Sequence, residues 1–295
     1  LITMILTTRH LLLLLVYSGF TTRQIYNYFP HIMNYQGTKQ DLTKQLTQDL
    51  SQYNDARIQA KLQRFINLDI RMIEQALTNG KIDAVSIDDA RYPQLLKHIY
   101  DPPLILFSRG NLALLQHSRT LAIVGSRQHT HYTNQALNVL FPHFAKARLT
   151  IISGLANGAD AIAHEQAIQF GCNTIAVLGF GHFHHYPKQT QKLRHHIDTH
   201  FLSISEYPPY TRPAKFRFPE RNRLISGLSQ GVLITEAKER SGALITVDQA
   251  LDQNRNVYVL PGDMFNPYTK GNMLRVQEGA EIVLTEMDIL KDYCQ

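Results

Sequence analysis

Three short segments combine small residues with a cation in a way that suits an anionic ligand: Gly125-Ser126-Arg127, Ser153-Gly154-Leu155-Ala156-Asn157-Gly158, and Glu236 to Arg240 followed by Ser241-Gly242-Ala243-Leu244-Ile245-Thr246. Glycine lets a ligand approach the main chain, and the free N–H groups at a helix N-terminus, with its partial positive charge, suit a phosphate. Any one of these turns read alone is an ordinary strand-to-helix connection, since Gly and Ser dominate loops generally. Three together suggest several phosphates or one long anion. Arg127 adds a guanidinium beside such a turn, able to make bidentate hydrogen bonds to phosphate; a structural ion pair is its plainer role.

A second constellation lies at 215–223. Lys215, Phe216, Arg217 and Phe218 interleave cations with aromatic rings, the combination that holds phosphates while unpaired bases stack, with one of the two phenylalanines expected in the core. Arg221-Asn222-Arg223 precedes the apolar residues Leu224, Ile225 and Leu228, which predicts a helix with both arginines in its first turn. Cations there oppose the helix dipole, so the pattern calls for an external anion or for pairing with Glu220 or Glu236.

Other chemistries are excluded. His164-Glu165 is followed by Ile168 where a zinc protease helix needs its second His, no phosphate-binding GxxxxGK[ST] loop occurs, and Gly179-Phe180-Gly181 lacks the third glycine of a dinucleotide fingerprint. The histidines at 182, 184 and 185 and at 195, 196 and 200 have no accompanying Cys and fit no metal spacing, so they read as surface residues, and no cofactor is expected.

These segments must be positioned by a fold. From Leu121 onward, short apolar runs alternate with helical stretches: Leu121 to Val124, Leu149 to Ile152, Thr174 to Leu178, Leu202 to Ser205, Val232 to Thr235, Val257 to Leu260 and Ile282 to Leu284. Continuous apolar strands indicate a sheet buried on both faces, hence α/β architecture with a doubly wound, mostly parallel, Rossmann-like sheet. Ligands in such a sheet collect beyond the carboxyl ends of the strands, where the three turns fall.

The first 80 or so residues read as helical. Thr21 and Gln24 form a capping box, and Ile58, Leu62, Phe65, Ile66, Ile70, Ile73 and Leu77 recur at helical spacing until Asn79-Gly80. Between Asp88 and Asn111, Tyr92-Pro93 and Asp101-Pro102-Pro103 punctuate a connecting segment. The expected organisation is a small helical (SAM-like) domain over 1–90 and a Rossmann-like domain over 91–295.

The chain of 295 residues carries a net charge of +6. Residues 1–90 hold nine Lys/Arg against eight Asp/Glu, leaving 21 against 16 for the rest, so the basic excess lies with the sheet. Lys188 to Arg223 alone has eight basic residues against three acidic, which fits a polyanion or simply a solvated face. Cys172 and Cys294 offer no disulfide framework, which favours a reducing, cytoplasmic setting. Leu11 to Val16 is too short for a membrane span and has no small-residue cleavage site behind it, so it predicts a buried helix.

Taken in order, Tyr92-Pro93, Asp101-Pro102-Pro103, Val124-Gly125-Ser126-Arg127, Ser153-Gly154-Leu155-Ala156 with Gly158, Asp160 and His164, Tyr186-Pro187, Ser205-Glu206-Tyr207, Phe218-Pro219 with Arg221-Asn222-Arg223, Ser241-Gly242 with Ile245-Thr246, and Pro261-Gly262 resemble the DprA/Smf family of DNA-processing proteins over residues 90 to 285. The resemblance implies an extended Rossmann fold, a homodimer, binding and protection of incoming single-stranded DNA during natural transformation, and loading of the RecA recombinase, without enzymatic activity or membrane association. It also implies phosphate contacts from Arg127, Arg221 and Arg223, a pocket lined by Ser153-Gly154 and Ser241-Gly242, and roles for Lys215 and Phe218. Departures occur at Asn157, Ala159 and Phe180 to Phe183. The winged-helix domain that ends some members is not expected after Gln295. The competing reading is a nucleotide phosphoribohydrolase-like enzyme of the lysine-decarboxylase-like fold group, but its PGGxGTxxE motif is missing and Asp248-Gln249 stand where its catalytic Glu would be.

Overall fold

A computed structural model describes residues 6–53 and 55–293. Five helices come first: α1 (Thr8–Tyr17), α2 (Thr22–Tyr28), α3 (Lys39–Leu50), α4 (Ala56–Asn67) and α5 (Ile70–Asn79). Leu11 to Leu15 are all fully buried, so α1 is enclosed on every side, as a helix apolar all round must be. Each such leucine contributes roughly 1.5–3 kcal/mol by burial. The Thr21–Gln24 capping box forms, with Gln24 N donating to Thr21 Oγ1 at 3.2 Å and Thr21 N donating to Gln24 Oε1 at 3.1 Å. The apolar period from Ile58 to Leu77 is two helices rather than one. Leu68 turns extended and Asp69 caps α5 by accepting from Arg71 N at 2.9 Å.

The remaining elements are β1 (Asp83–Ser86), α6 (Gln94–Lys97), β2 (Ile105–Gly110), β3 (Thr120–Val124), α7 (His131–Lys146), β4 (Thr150–Ser153), α8 (Ala159–Phe170), β5 (Asn173–Leu178), α9 (Gln191–His200), β6 (Leu202–Ser205), α10 (Arg217–Gly227), β7 (Gly231–Ile234), α11 (Ala243–Asp252), β8 (Asn256–Val259), α12 (Lys270–Gln277), β9 (Glu281–Ile282) and α13 (Met287–Leu290). The nine strands form one sheet in the order β1-β2-β6-β5-β4-β3-β7-β8-β9. From β6 to β9 every pairing is parallel; β1 and β2 are antiparallel additions. The α/β reading with a mostly parallel, doubly wound sheet therefore holds, with seven strands at the expected places.

Two strands were not expected. Asp83–Ser86 and Ile105–Gly110 lie in the segment read as helical end and connector, yet they pair with each other, and β2 pairs with β6. The sheet therefore begins upstream of position 90, and one continuous core carries Leu11 to Leu15 of α1 together with Ile105, Leu106 and Phe107 of β2. Among the described residues no helix is long and apolar enough to cross a membrane. Cys172 is buried, and Cys294 lies outside the described residues.

Chain order sets the crevice. From β3 the sheet grows one way through β4, β5 and β6; the chain then returns to lay β7 on the other side of β3 and continues to β8 and β9. Crossovers leaving β3 in opposite directions open a gap beyond its carboxyl end, the place where ligands bind in open α/β sheets.

Candidate nucleic-acid interface

That gap is a cleft of about 620 Å³, lined among others by Gly125, Ser126, Arg127, Lys215, Phe218, Arg221, Asn222, Ser241 and Gly242. A smaller recess of about 30 Å³ opens beside it, between Arg127, Gly154, Tyr186, Phe218 and Arg221. The structure thus brings together ten of the twelve residues singled out by sequence. Ser153 and Arg223 are elsewhere.

Ser153 is fully buried and its hydroxyl donates to Ile123 O at 2.7 Å, tying β4 to β3 beneath the cleft. Arg223 points away from the cleft. It donates to Glu206 through Nη1 at 2.9 Å and Nη2 at 2.8 Å, and through Nε to Asp101 at 3.0 Å. Burial weighs against its charge, but Glu206 and Asp101 outweigh that and hold the guanidinium above its ordinary value, while burial raises the carboxyl of Glu206. The Asp101-Pro102-Pro103 segment is fastened to α10 by this pair of carboxylates.

The helix dipole argument for these arginines does not apply. Helix α10 begins at Arg217, not at Arg221, because Pro219 is accommodated in a first turn where its missing N–H is not needed. Arg221 and Arg223 consequently lie inside the helix, and their opposite fates follow from the side of α10 they occupy.

Arg221 faces the sheet and is only 4% exposed. Its Nη1 donates to Gly154 O at 2.7 Å and to Val177 O, and Nε donates to Asn222 Oδ1 at 3.1 Å. A side chain at Gly154 would put Cβ 2.6 Å from the guanidinium carbon, so glycine there is what admits the arginine. Asp160 supplies the nearby negative charge; burial raises its carboxyl above the usual range against the pull of Arg221, and burial lowers Arg221. Arg127, by contrast, is exposed at the mouth.

The three turns differ in what they leave for a ligand. At α7 the fully buried Glu236 occupies the N-terminus, accepting from Thr130 N at 3.0 Å, Thr130 Oγ1 at 2.7 Å and Thr133 Oγ1 at 2.5 Å. Ser126 N donates to Glu236 O at 2.7 Å and Gln128 N to Ser126 Oγ at 3.1 Å. At α8 it is Asp160 that sits in the first turn, accepting from Ala156 N at 3.4 Å. Two of the expected N–H cradles are thus filled by the protein's own carboxylates. At α11 no acid lies in the first turn, and beyond the Cβ direction of Gly242 the space is open. Anion binding at this cleft rests chiefly on side-chain cations.

The aromatic wall is made by Phe218 and Tyr186, whose rings lie 5.5 Å apart and tilted by 41°. Of the two phenylalanines of the 215–218 segment, Phe216 is 60% exposed, while Phe218 is half-buried at the cleft and packs against the core cluster of Leu155, Leu178 and Phe180. Tyr186 was not among the sequence candidates, although an aromatic directly before Pro187 was a usable signal. His182 is also corrected, since it is buried rather than on the surface; its Nε2 meets Phe107 O at 2.8 Å and its Nδ1 meets Arg194 Nη2 at 2.9 Å. Among the described residues no group of His, Cys, Asp or Glu could hold a metal ion. A separate depression of about 330 Å³ in the helical domain, between Tyr28, Tyr35, Asp49 and Tyr53, has no Lys or Arg in its lining and does not suit an anion.

The family described as DNA recombination-mediator protein A matches residues 83–294. The chain belongs to this family. Among curated members it is 42% identical over 211 residues to DNA processing protein DprA of Bacillus subtilis, covering 72% of this chain and 71% of the relative. It is 36% identical over 277 residues to DprA of Streptococcus pneumoniae, covering 94% and 95%. The crystal structure of the S. pneumoniae protein superposes with a TM-score of 0.83 at 35% identity, covering 98% of this chain and 99% of that one. DNA processing protein A from Helicobacter pylori, described for its unique single-stranded DNA binding mode, matches with a TM-score of 0.65 at 29% identity over 72% of this chain and 97% of that one. The membership in DprA extends through β1 and β2, the strands that sequence patterning missed.

Proposed function

We propose that this DprA family member binds single-stranded DNA in the cleft at β3, protects it during natural transformation and loads RecA recombinase onto it, acting as a cytoplasmic homodimer without catalysis or cofactor. One observation carries the reading: the exposed cations Arg127 and Lys215 line a single cleft together with the aromatic pair Tyr186 and Phe218. Phosphate contacts alone suit a duplex equally well, whereas rings at the same place favour bases that are free to stack. The single-strand binding of the H. pylori relative supports the same assignment.

The deciding experiment is titration of a labelled oligothymidine and of a duplex of equal length at two salt concentrations. Tighter binding of the single strand, weakening with salt, is expected; equal affinity for the duplex overturns the stacking contribution. For the partners, light scattering should give a dimeric mass. The region proposed for pairing, Lys270 to Leu284, includes the sheet-edge strand β9 and Leu284, which is 76% exposed. Co-sedimentation with RecA on single strands tests loading.

The hydrolase alternative is disfavoured by the position of Asp248, which is engaged by Arg275 at 2.6 Å. Asp160 is the acidic residue of the cleft lining, and it is buried behind Arg221. Release of ribose phosphate from a nucleoside monophosphate, abolished by Asp160→Asn, would restore the enzymatic reading.

A further inference from the structure

The loop after β8 places large apolar side chains in water. Met264 is 88% and Phe265 87% exposed, in a segment that is neither a helix nor a strand. The loop is braced rather than loose: Asp263 Oδ1 accepts from Phe265 N at 2.9 Å, Asn266 Oδ1 accepts from Tyr268 N at 2.9 Å, and Asn266 N donates to Asp263 O at 3.2 Å. These local bonds hold the two side chains outward.

Its location is decided by the sheet. Strand β8 is parallel to β7 and β7 to β3, so the loop leaves the same carboxyl edge as the cleft, about two strand spacings or ~10 Å along it. Gly271 N donates to Ala237 O at 2.8 Å and Ala237 N donates to Asn272 Oδ1 at 3.0 Å, which docks the loop's far end against the 237–241 turn. That turn runs on into Ser241 and Gly242 of the cleft lining, with Ser241 N donating to Lys238 O at 2.9 Å. The apolar tip and the cleft are therefore neighbours on one continuous edge.

The charge along this edge fits an anionic partner. Lys238 Nζ lies 4.5 Å from the Tyr268 ring centroid, a cation on an aromatic face beside the apolar tip. Glu239 is matched by Lys270 at 3.3 Å, and the Asp263 carboxylate, which keeps its charge, is turned back onto Phe265 N of its own loop.

We propose that the Asp263–Tyr268 loop is a second stacking surface, on which the bases of a single strand leaving the cleft rest against Phe265 and Met264 while Lys238 on Tyr268 meets the phosphate. The proposal rests on the single-strand reading above. An aromatic face accepts any base, so this surface extends the contact without adding sequence preference.

The chain contains no tryptophan, so Phe265→Trp installs a single reporter at an exposed position. Its emission is followed during titration with oligothymidines of about four and about sixteen nucleotides, the limits of site size for a single-strand-binding module. In parallel, Phe265→Ala and the parent protein are compared for affinity to both lengths and for particle mass. Quenching by the longer oligomer but not the shorter, with about fivefold weaker binding of the longer one by Phe265→Ala, is the expected result. If the parent binds both lengths while the tryptophan stays silent and Phe265→Ala binds normally, the loop is not part of the path and the cleft assignment stands. If Phe265→Ala alters the particle mass and weakens both lengths alike, the loop is a contact between copies and the proposal fails. If the parent binds neither oligomer, the single-strand reading fails and this surface with it.

Discussion

The guanidinium of Arg221 rests against the main chain of Gly154, donating to its carbonyl at 2.7 Å across the space a side chain would fill. This contact joins helix α10 to the end of β4 beneath the cleft, and it separates the two arginines of the lining into different kinds. Arg221 is part of the wall, and Arg127 stands free in front of it.

Arg127→Ala should therefore weaken single-stranded DNA binding without affecting the melting temperature. Loss of one charge-assisted phosphate contact costs on the order of 1.5–3 kcal/mol, about ten- to a hundredfold in affinity. The slope of log K against log salt should shrink by about 0.7. Unchanged affinity and slope in salt titrations would remove Arg127 from the interface.

Arg221→Met should behave in the opposite way, unfolding at lower temperature or denaturant. It leaves Gly154 O and Val177 O without their donor and Asp160 without its neighbouring cation, and breaking a buried charge arrangement costs about 3–5 kcal/mol. Urea denaturation measures this directly; a midpoint equal to the parent's would show that Arg221 is not structural.

Two glycines of the site make a matched pair. Gly154→Ala forces Cβ to within 2.6 Å of Arg221 and should cost about 1–3 kcal/mol, the range for overpacking. Gly242→Ala meets open space at a φ of −61°, and its change in stability should stay within about 0.5 kcal/mol. Thermal unfolding of both variants checks the contrast.

Phe218→Ala should lower affinity for single strands by about 1–3 kcal/mol while leaving duplex binding nearly unchanged, because only unpaired bases offer a face to the ring. Fluorescence anisotropy with both ligands is sufficient, and an equal loss for the two would assign Phe218 a structural role at the cleft.

Acid should destabilise the fold through His164. This imidazole is fully buried, with Nδ1 2.7 Å from Thr174 Oγ1, and burial pushes it down to about 3. The unfolded chain binds a proton near pH 6.5 that the folded one refuses, so stability is complete above that pH and is lost as pH falls toward 3. The loss is about 1.4 kcal/mol per pH unit for this group. Denaturation midpoints of the parent and of His164→Gln across that window should converge as the pH drops.

Much of this arrangement was readable from residue patterns because it is local. The apolar runs of β3 to β8 and the small residues following them are contiguous in sequence, and together they locate both the sheet and its ligand-binding edge. What escaped depends on distant partners. Strand β2 is a six-residue segment between Pro103 and Asn111 whose identity as a strand comes from pairing with β6, almost a hundred positions later. Arg223 looked like a ligand contact because its partners, Glu206 and Asp101, lie 17 and 122 residues away. Likewise, the acids that fill the α7 and α8 termini could be seen in the sequence, but not the direction in which they point.

The crossing of the chain at β3 has a thermodynamic consequence. The walls of the cleft come from α10 and from the ends of β4, β3 and β7, neighbouring strands at the centre of the sheet that are far apart in sequence, so the pocket is lost only when the centre of the sheet opens. A bound strand is then linked to global unfolding, and saturation at a hundred times Kd should raise the unfolding free energy by about 2.7 kcal/mol. The protein's melting curve becomes a titration of its occupancy, and amide exchange should slow on binding even in strands that never touch the ligand.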